Sequence, residues 1–357
     1  MRLNPLTLRK LKRFREIRRG YFSFLILIGL LGLSAVSELI INDRALAVRY
    51  QGEWSFPTYG PVELGSVYGL EGTDGRRPVD YRRLKEHFDA AGAGDRVIMP
   101  LIPWGPYYND AVGGILRAEA PNFERGHYLG TDTTGRDILA RLVYGFRTAM
   151  LFALAFTALT YLIGVAIGCA MGYFGGLFDL LFQRVIEIWS NVPFLYMVII
   201  IFSVIPATFS VGARIGILLA IMVLFSWTGL TYYMRTATYK EKSRDYAAAA
   251  QVLGAGTSRI IFRHILPNTV ATMVTFVPFT VVGAITAITA LDFLGFGLPP
   301  PTPSIGEMLK QGTANLTTAP WIVSSAFAAL VVILLLVTFI GEAVREAFDP
   351  RQFTLYK

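Results

Sequence analysis

Long runs of apolar residues constrain this chain of 357 residues more than any other feature of its sequence. A helix needs about 20 mostly apolar residues to cross the hydrocarbon core of a bilayer. Runs near this length recur along the chain, and charged residues make up only 16% of it, against about a quarter in a soluble domain. The sequence therefore predicts an all-α fold, namely a polytopic membrane helix bundle.

Six transmembrane helices are predicted, and the third has the shortest purely apolar core. The six runs are 21–41, 149–171, 192–204 with its flanks, 215–233, 269–291 and 321–340. The third run reaches spanning length only together with turns of the amphipathic stretch 177–191. A second interpretation of that stretch is a helix lying along the membrane interface. Pro193 and Pro278 predict kinks, because proline interrupts helical hydrogen bonding.

The distribution of Lys and Arg predicts the orientation, because short cytoplasmic loops carry an excess of these residues. Eight lie within the first 19 residues and six within 235–264. The loop between the third and fourth apolar runs and the loop between the fifth and sixth hold few. We expect the basic N-terminus (1–20), the loop 235–268 and the tail 342–357 to be cytoplasmic. The chain is then a multi-pass membrane protein with both termini in the cytoplasm, and its net charge of +8 reflects topology rather than nucleic-acid binding.

The segment 42–146 is predicted to lie outside the membrane as an irregular insertion after the first helix. It mixes Gly, Pro, aromatic and charged residues without a clear helical period. Two roles stay open, a passive cap and a docking site for a soluble external partner. Aromatic residues are enriched both at protein interfaces and at membrane surfaces, so composition does not separate these roles.

The loop 235–268, between the fourth and fifth runs, predicts two short helices at the membrane surface. Four alanines after Asp245 favour a helix, with Asp245 or Ser243 as its N-cap. Gly254 is typical of a C-terminal cap, Thr257 of the start of a second helix, and Pro267 of its junction with the next span. The small alanine face would allow close approach by another protein.

This loop resembles the coupling motif of bacterial ABC importer permeases, in which Glu-Ala-Ala is followed by a glycine and then by Ile-x-Leu-Pro. The matching positions are Ala249, Ala250, Gly254, Leu266 and Pro267. Ala248 and His264 stand where the motif has Glu and Ile. Segments at 129–147, 172–193, 291–307 and 341–350 resemble dipeptide and oligopeptide permeases. Segments between 18 and 57 are similar to the YejE-type permeases of oligopeptide and microcin C importers.

The resemblance implies a permease subunit that moves short peptides, or peptide-like compounds such as microcin C, by alternating access. The implied partners are a second homologous permease, ABC ATPase subunits and a periplasmic substrate-binding protein. The residues expected to couple to the ATPase are Asp245, Tyr246, Ala249, Ala250, Gly254, Arg263, His264 and Pro267. With Ala248 in place of Glu, we expect this contact to depend on shape and small side chains.

Threonines are frequent in the predicted fifth span, and Thr272, Thr275 and Pro278 are candidates for lining a transport pathway. Hydroxyl groups in a spanning helix usually bond to their own backbone or to a neighbouring helix. The resemblance implies that this span borders the pathway, so both interpretations stay open.

Ion pairs are predicted at the entrance to the second span. Gly130 and Gly135 flank a polar turn there, which favours a tight loop. Side chains suited to fix this turn are Asp132, Arg136, Asp137 and Arg141. We expect a structural role for them rather than contact with a substrate.

Catalytic and nucleotide-binding motifs are missing from the sequence. It has no Gly-Lys dipeptide, so it has no P-loop of the usual form, and ATP with Mg²⁺ is expected on partner subunits. The chain is therefore expected to bind no cofactor and not to be an enzyme. Its histidines, His87, His127 and His264, are scattered, and Cys169 has no second cysteine with which to form a metal site.

Three alternatives remain. Permeases that resemble this chain also carry nickel or glycosides. A stand-alone secondary transporter would favour inverted repeats and central ionisable groups, and an intramembrane enzyme would need polar catalytic groups inside its spans. Neither of these last two patterns is evident in the sequence.

Overall fold

The computed structural model describes residues 5–92, 94–111, 114–206 and 208–348, without the side chains of 5–7 and 271–272. Up to residue 98 the elements are α1 (Pro5–Glu16), α2 (Arg18–Ala35), α3 (Ser37–Ile40), β1 (Ala47–Tyr50), β2 (Glu53–Ser55), a 3-10 turn (Gly65–Tyr68), α4 (Gly72–Gly75), α5 (Tyr81–Ala91) and β3 (Arg96–Ile98). From residue 138 they are α6 (Ile138–Phe174), α7 (Gly176–Ser190), α8 (Phe194–Val204), α9 (Val211–Lys242), α10 (Asp245–Val252), α11 (Thr257–Arg259), a π-helical segment (Ile260–Ile265), α12 (Leu266–Met273), a 3-10 turn (Val274–Phe276), α13 (Val277–Leu294), α14 (Ile305–Ala314) and α15 (Pro320–Phe348).

The described residues contain five helices long and apolar enough to cross a membrane, or six if α7 and α8 form one bent span. The five are α2, α6, α9, the helical stretch Thr257–Leu294 and α15. The prediction of a polytopic helical bundle is confirmed. The predicted kink at Pro193 is also confirmed, because α7 and α8 meet at 74° across the break that contains it.

Two boundaries differ from the sequence prediction. Helix α9 continues to Lys242, so the first residues of the expected loop 235–268 are helical. Pro278 lies in the first turn of α13, directly after the 3-10 turn Val274–Phe276. Proline lacks an N–H group and its ring crowds the preceding turn, which accounts for the local departure from α-helical geometry.

The described residues form two compact units. The first draws on the ranges 1–28, 149–300 and 332–357, and the second on 29–148 and 301–331. The described parts of the predicted N-terminus and tail, residues 5–20 and 342–348, belong to the first unit. Residues 1–4 and 349–357 lie outside the described residues.

A stripe of glycines joins α6 to α9 in the first unit. Gly164, Gly168 and Gly172 are spaced four residues apart, so they share one face of α6. A Cβ atom at Gly168 would lie 2.5 Å from the carbonyl oxygen of Thr231 and 2.8 Å from the Cβ of Met234. Small residues at this spacing let the backbones of two membrane helices approach closely.

A bidentate ion pair joins α7 to α9. The Nε and Nη2 atoms of Arg235 donate to the two carboxylate oxygens of Asp179 at 2.5 and 2.6 Å, and the hydroxyl of Tyr239 donates to the same carboxylate at 3.1 Å. Arginine and carboxylate groups match each other in this fork geometry. The C-terminal half of α9 therefore packs closely against α6 and forms an ion pair with α7.

A small sheet organises the inserted segment in the second unit. Its three antiparallel strands have the order β2-β1-β3, with Val48 paired to Ser55 on one side and to Val97 on the other. Val48, Leu84 and Phe88 are buried in its hydrophobic core. The insertion is thus more regular than its mixed composition predicted, because widely spaced apolar residues pair across strands and against α5.

Asp80 begins α5 and illustrates how polar residues stabilise this core. Its carboxylate accepts hydrogen bonds from the backbone N–H of Arg82 at 3.1 Å and from the hydroxyl of Tyr108 at 2.8 Å. Burial acts to raise the pKa of Asp80, but attraction to Arg82 and these hydrogen bonds outweigh it and lower the pKa below its ordinary value.

The polar turn before α6 forms the predicted ion pairs. Asp132 accepts from Arg136 at 2.8 Å and lies 3.6 Å from the Nε of Arg141. Glu307 of α14 binds both guanidinium groups, that of Arg136 at 3.1 Å and that of the fully buried Arg141. Asp137 instead contacts His127 at 2.8 Å. This cluster fixes the start of α6 to α14 within the second unit.

We expect Gly168→Leu to weaken the contact between α6 and α9, because the added side chain would overlap the backbone of α9. Overpacking of this kind costs about 1–3 kcal/mol. The apparent melting temperature of the purified protein in detergent should fall. The control is Gly216→Leu in α9, where a Cβ meets no described atom within 4 Å, and equal losses in the two variants would contradict the role of the stripe.

We expect Glu307→Gln to destabilise the second unit, because it leaves the buried guanidinium of Arg141 without its closest carboxylate. The cost should be about 2 kcal/mol, below the value for a fully buried pair because Glu307 is 33% exposed. Thermal unfolding should report this loss. Lys310→Gln, on the exposed face of the same helix, serves as the control and should unfold like the unsubstituted protein.

Candidate functional site

Helix α10 has an inner and an outer face that follow from helical periodicity. Ala247 and Ala250 are buried on the inner face, where Ala250 packs with Ile260 and Ile265 of the following π-helical segment. Ala248 and Ala249 are exposed, as are Asp245 at the start of the helix and Gln251 and Val252 at its end. Of the predicted coupling residues, Ala250 therefore faces inward and Ala249 faces outward.

A Schellman motif ends α10 at Gly254. The N–H of Gly254 donates to the carbonyl of Gln251 and the N–H of Ala255 to that of Ala250, both at 3.0 Å. Gly254 has a φ of +80° with open space around a built Cβ. The left-handed conformation rather than lack of room favours glycine here, as the sequence predicted.

Two large apolar side chains project from the end of α10. Val252 and Leu253 are 87% and 86% exposed, and both precede the turn at Gly254. Adjacent apolar side chains exposed to this extent mark a candidate site of contact with another protein or with the membrane. The sequence analysis missed them, although an apolar pair between an alanine helix and a capping glycine is a readable signal.

The predicted N-caps of α10 are wrong. Arg244 occupies the N-cap position and makes no side-chain capping bond, while the hydroxyl of Ser243 donates back to the carbonyl of Lys240 at 3.0 Å. Asp245 lies in the first turn, where a negative charge opposes the positive end of the helix dipole. The helix α9 extends further than expected, which places Ser243 at the end of one helix instead of the start of the next.

Tyr246 braces the junction of three helices. Its hydroxyl donates to Glu241 of α9 at 2.6 Å and accepts from the side-chain amide of Asn268 in α12 at 3.3 Å. Burial and the hydrogen bond to Glu241 raise the pKa of Tyr246 above its ordinary value, so the phenol stays protonated and able to donate. Its position indicates a positioning residue between the helices rather than a surface contact.

The second part of the loop is a continuous helix with a π-helical segment in it. The N–H of Leu266 donates to the carbonyl of Ile261, five residues back, directly before Pro267. Single π-type turns often lie at functional positions in helices. Arg263 and Pro267 are exposed here, whereas His264 is half-buried with its ring 6.5 Å from that of Tyr246.

A cavity of about 320 Å³ lies among α6, α9 and the start of α13 in the first unit. Its lining residues are Phe156, Thr160, Tyr161, Ser226, Gly229, Leu230, Tyr233, Phe276, Phe279 and Thr280. Of the predicted pathway residues, Thr275 and Pro278 are not in this lining, and the side chain of Thr272 lies outside the described residues. Sequence periodicity did not find the lining, because its members come from three helices far apart in the chain.

Three of the six threonines of the predicted fifth span are seen to bond to their own backbone. The hydroxyls of Thr269, Thr280 and Thr286 donate to carbonyls three or four residues back at 2.9–3.2 Å. This is the local bonding that the sequence analysis gave as one of two alternatives. Thr280 also lies 3.3 Å from the hydroxyl of Tyr161 at the cavity.

The described residues combine helices long and apolar enough to cross a membrane with an exposed helical loop, and this defines the class of a multi-span membrane protein. Residues 164–354 match the model of the family described as binding-protein-dependent transport system inner membrane component. The chain belongs to this family.

Relatives match nearly the whole chain. The inner membrane ABC transporter permease protein YejE of Escherichia coli is 41% identical over 98% of this chain and 99% of its own length. The peptidoglycan transport system permease protein YejE of Agrobacterium fabrum is 39% identical over 98% of this chain and 94% of its own length. The oligopeptide transport system permease protein OppC of Lactococcus lactis is 37% identical over 64% of this chain and 77% of its own length. The chain is therefore a permease subunit of an ABC importer rather than an enzyme.

We expect Gly254→Val to abolish transport-linked ATP hydrolysis of the assembled importer while leaving membrane insertion intact. A side chain in the left-handed region costs roughly 1–2 kcal/mol. A β-branched side chain should therefore force the backbone out of this conformation and change the turn that presents Val252 and Leu253. Gly256→Val is the matched control, because Gly256 has a φ of −69° and open space around a built Cβ. Normal coupling in Gly254→Val would refute the role assigned to this turn.

Proposed function

We propose that this permease imports short peptides across the bacterial inner membrane, with α10 and the turn at Gly254 contacting a partner ATPase. The observation that carries the proposal is the exposed apolar pair Val252 and Leu253 at the end of α10. The pair sits on a turn fixed by backbone hydrogen bonds and on a helix whose other face is buried. An ordered apolar projection of this kind fits a groove on another protein better than it fits water.

Conformational coupling follows from how this element is connected. Helix α10 is joined to α9 through Tyr246 and Glu241, and to α12 through Tyr246 and Asn268. A displacement of α10 therefore acts on the helices before and after it, and not on a free loop. Closure of the partner ATPases would push this element, and the helix bundle would rock against a second, homologous permease in an alternating-access cycle.

The partners and the orientation follow from the same proposal. ATP and Mg²⁺ are bound by the ATPase subunits, and a periplasmic binding protein delivers the substrate. The loop 235–268, the basic N-terminus and the tail then lie in the cytoplasm, and the segment 42–146 lies in the periplasm. Support comes from the excess of Lys and Arg in the first 19 residues and in 235–264.

The proposed substrates are short peptides and peptide-like compounds such as microcin C. The Lactococcus lactis relative is named for oligopeptide transport and the Agrobacterium fabrum relative for peptidoglycan transport. Peptides derived from peptidoglycan belong to the same chemical class, so they are a second candidate substrate. Nickel and glycosides remain the alternatives within the wider group of similar permeases.

We expect Leu253→Asp to prevent co-purification of the permease with its ATPase when both are expressed with their operon neighbours. Leu253 is 86% exposed, so the substitution should leave the folding of the permease unchanged while placing a charge in an apolar contact. The readout is the amount of ATPase recovered with the tagged permease in detergent.

Ser258→Asp is the matched control, since Ser258 is exposed in the same loop but outside the apolar pair. It should retain the ATPase. Full recovery with Leu253→Asp would reject the assigned contact, and failure of the unsubstituted permease to retain any ATPase would reject the proposed function itself.

A further inference from the structure

The cavity among α6, α9 and α13 contains a buried hydroxyl that lacks a hydrogen-bond partner in the described part of the chain. Thr160 is 3% exposed and lines the cavity, and its Oγ1 atom makes no hydrogen bond there. A buried hydroxyl left without a partner has lost its hydration without a hydrogen bond in return, which is unfavourable. A ligand in the cavity that bonded to Thr160 would offset this loss.

Two neighbouring threonines differ from Thr160 because their hydroxyls bond to their own helices, although among the described residues the buried hydroxyl of Thr238 in α9, outside the cavity lining, also makes no hydrogen bond. The hydroxyl of Thr157, one turn earlier in α6, donates to the carbonyl of Ala153 at 2.7 Å. The hydroxyl of Thr231 in α9 donates to the carbonyl of Trp227 at 2.9 Å. Both follow the usual bonding of threonine to the preceding turn, whereas the hydroxyl of Thr160, a residue of the cavity lining, makes no such bond.

The lining of the cavity defines the chemistry of its occupant. Aromatic rings form much of the wall, and those of Tyr233 and Phe276 are stacked with centroids 5.1 Å apart. Five lining residues carry a hydroxyl, namely Thr160, Tyr161, Ser226, Tyr233 and Thr280, and none of the described lining residues is Asp, Glu, Lys, Arg or His. A charged group would be unpaired there and costly to bury, but a neutral amide beside apolar side chains would fit.

We propose that this cavity binds an uncharged main-chain amide of the transported peptide, whose N–H group donates a hydrogen bond to the hydroxyl oxygen of Thr160. The inference rests on the proposed peptide transport. Its volume of about 320 Å³ lies at the lower end of ligand pockets, roughly 300–1,000 Å³, and suits a short stretch of a peptide. Because every peptide carries main-chain amides, this contact tolerates many side-chain sequences.

The first test is Thr160→Val in the complete importer, reconstituted in proteoliposomes with its ATPases and binding protein. Valine has the shape of threonine without the hydroxyl. The half-maximal concentration for uptake of labelled trialanine should rise about 3- to 10-fold, as expected for loss of one neutral hydrogen bond. Without peptide, the variant should melt no lower than the unsubstituted protein, because no internal hydrogen bond is lost.

Thr157→Val is the matched control, since it removes a hydroxyl that is bonded to its own helix and outside the lining. It should leave uptake unchanged within about twofold. A cavity occupied by a lipid acyl chain instead would make Thr160→Val neutral or stabilising with no change in uptake, and this result would overturn the proposal.

A second probe separates a direct bond from an indirect effect. A trialanine analogue in which one of the two peptide amides is replaced by an ester lacks the N–H group of that amide. The unsubstituted importer should take it up less well than trialanine, and this difference should largely vanish in Thr160→Val, as a double-mutant cycle requires for a direct contact. Independent, additive losses would overturn the proposal. If the unsubstituted importer took up neither compound, peptide transport itself would fail.

Discussion

Close packing of α6 against α9 is the interaction on which the candidate site depends. Gly164, Gly168 and Gly172 let the two backbones meet, and a Cβ at the central position would overlap the carbonyl oxygen of Thr231. Between apolar helices in lipid, hydrophobic burial gives little preference for one partner, so such contacts depend on packing and on a few polar bonds. Asp179 and Arg235 supply one of these bonds near the same end of α9.

The consequence of this packing is mechanical. Helix α10 is carried by the end of α9, and it is tied back to α9 and α12 by the hydroxyl of Tyr246. A Schellman motif ends α10 and leaves Val252 and Leu253 exposed. A surface formed by short rigid pieces in this way can transmit a displacement, because movement of one piece strains hydrogen bonds of defined geometry in the next.

The sequence predicted the features that depend on local chemistry. Apolar runs predicted the helical bundle, Pro193 predicted a bend, and Gly254 predicted a helix end that requires positive φ. It did not predict what depends on residues distant in the chain. Within the sheet, β1 pairs with β3 although partners such as Arg49 and Arg96 are 47 positions apart in the sequence, and the cavity draws on three helices. The N-cap of α10 was mistaken because α9 runs on through Lys242, and neither Ser243 nor Asp245 marks that boundary by itself.

The departures from the coupling motif acquire a physical meaning in this setting. Ala248, where the motif has Glu, is exposed on the outer face of α10, so it offers no charge to a partner. His264, where the motif has Ile, is half-buried near Tyr246 and therefore belongs to the bracing of the loop. The exposed outer face of α10 then consists largely of small and apolar side chains, namely Ala248, Ala249, Val252 and Leu253, with Asp245 and Arg263 as exposed charges beside it. Such a contact gains free energy from burial of apolar area and should depend less on salt than one built on an exposed ion pair.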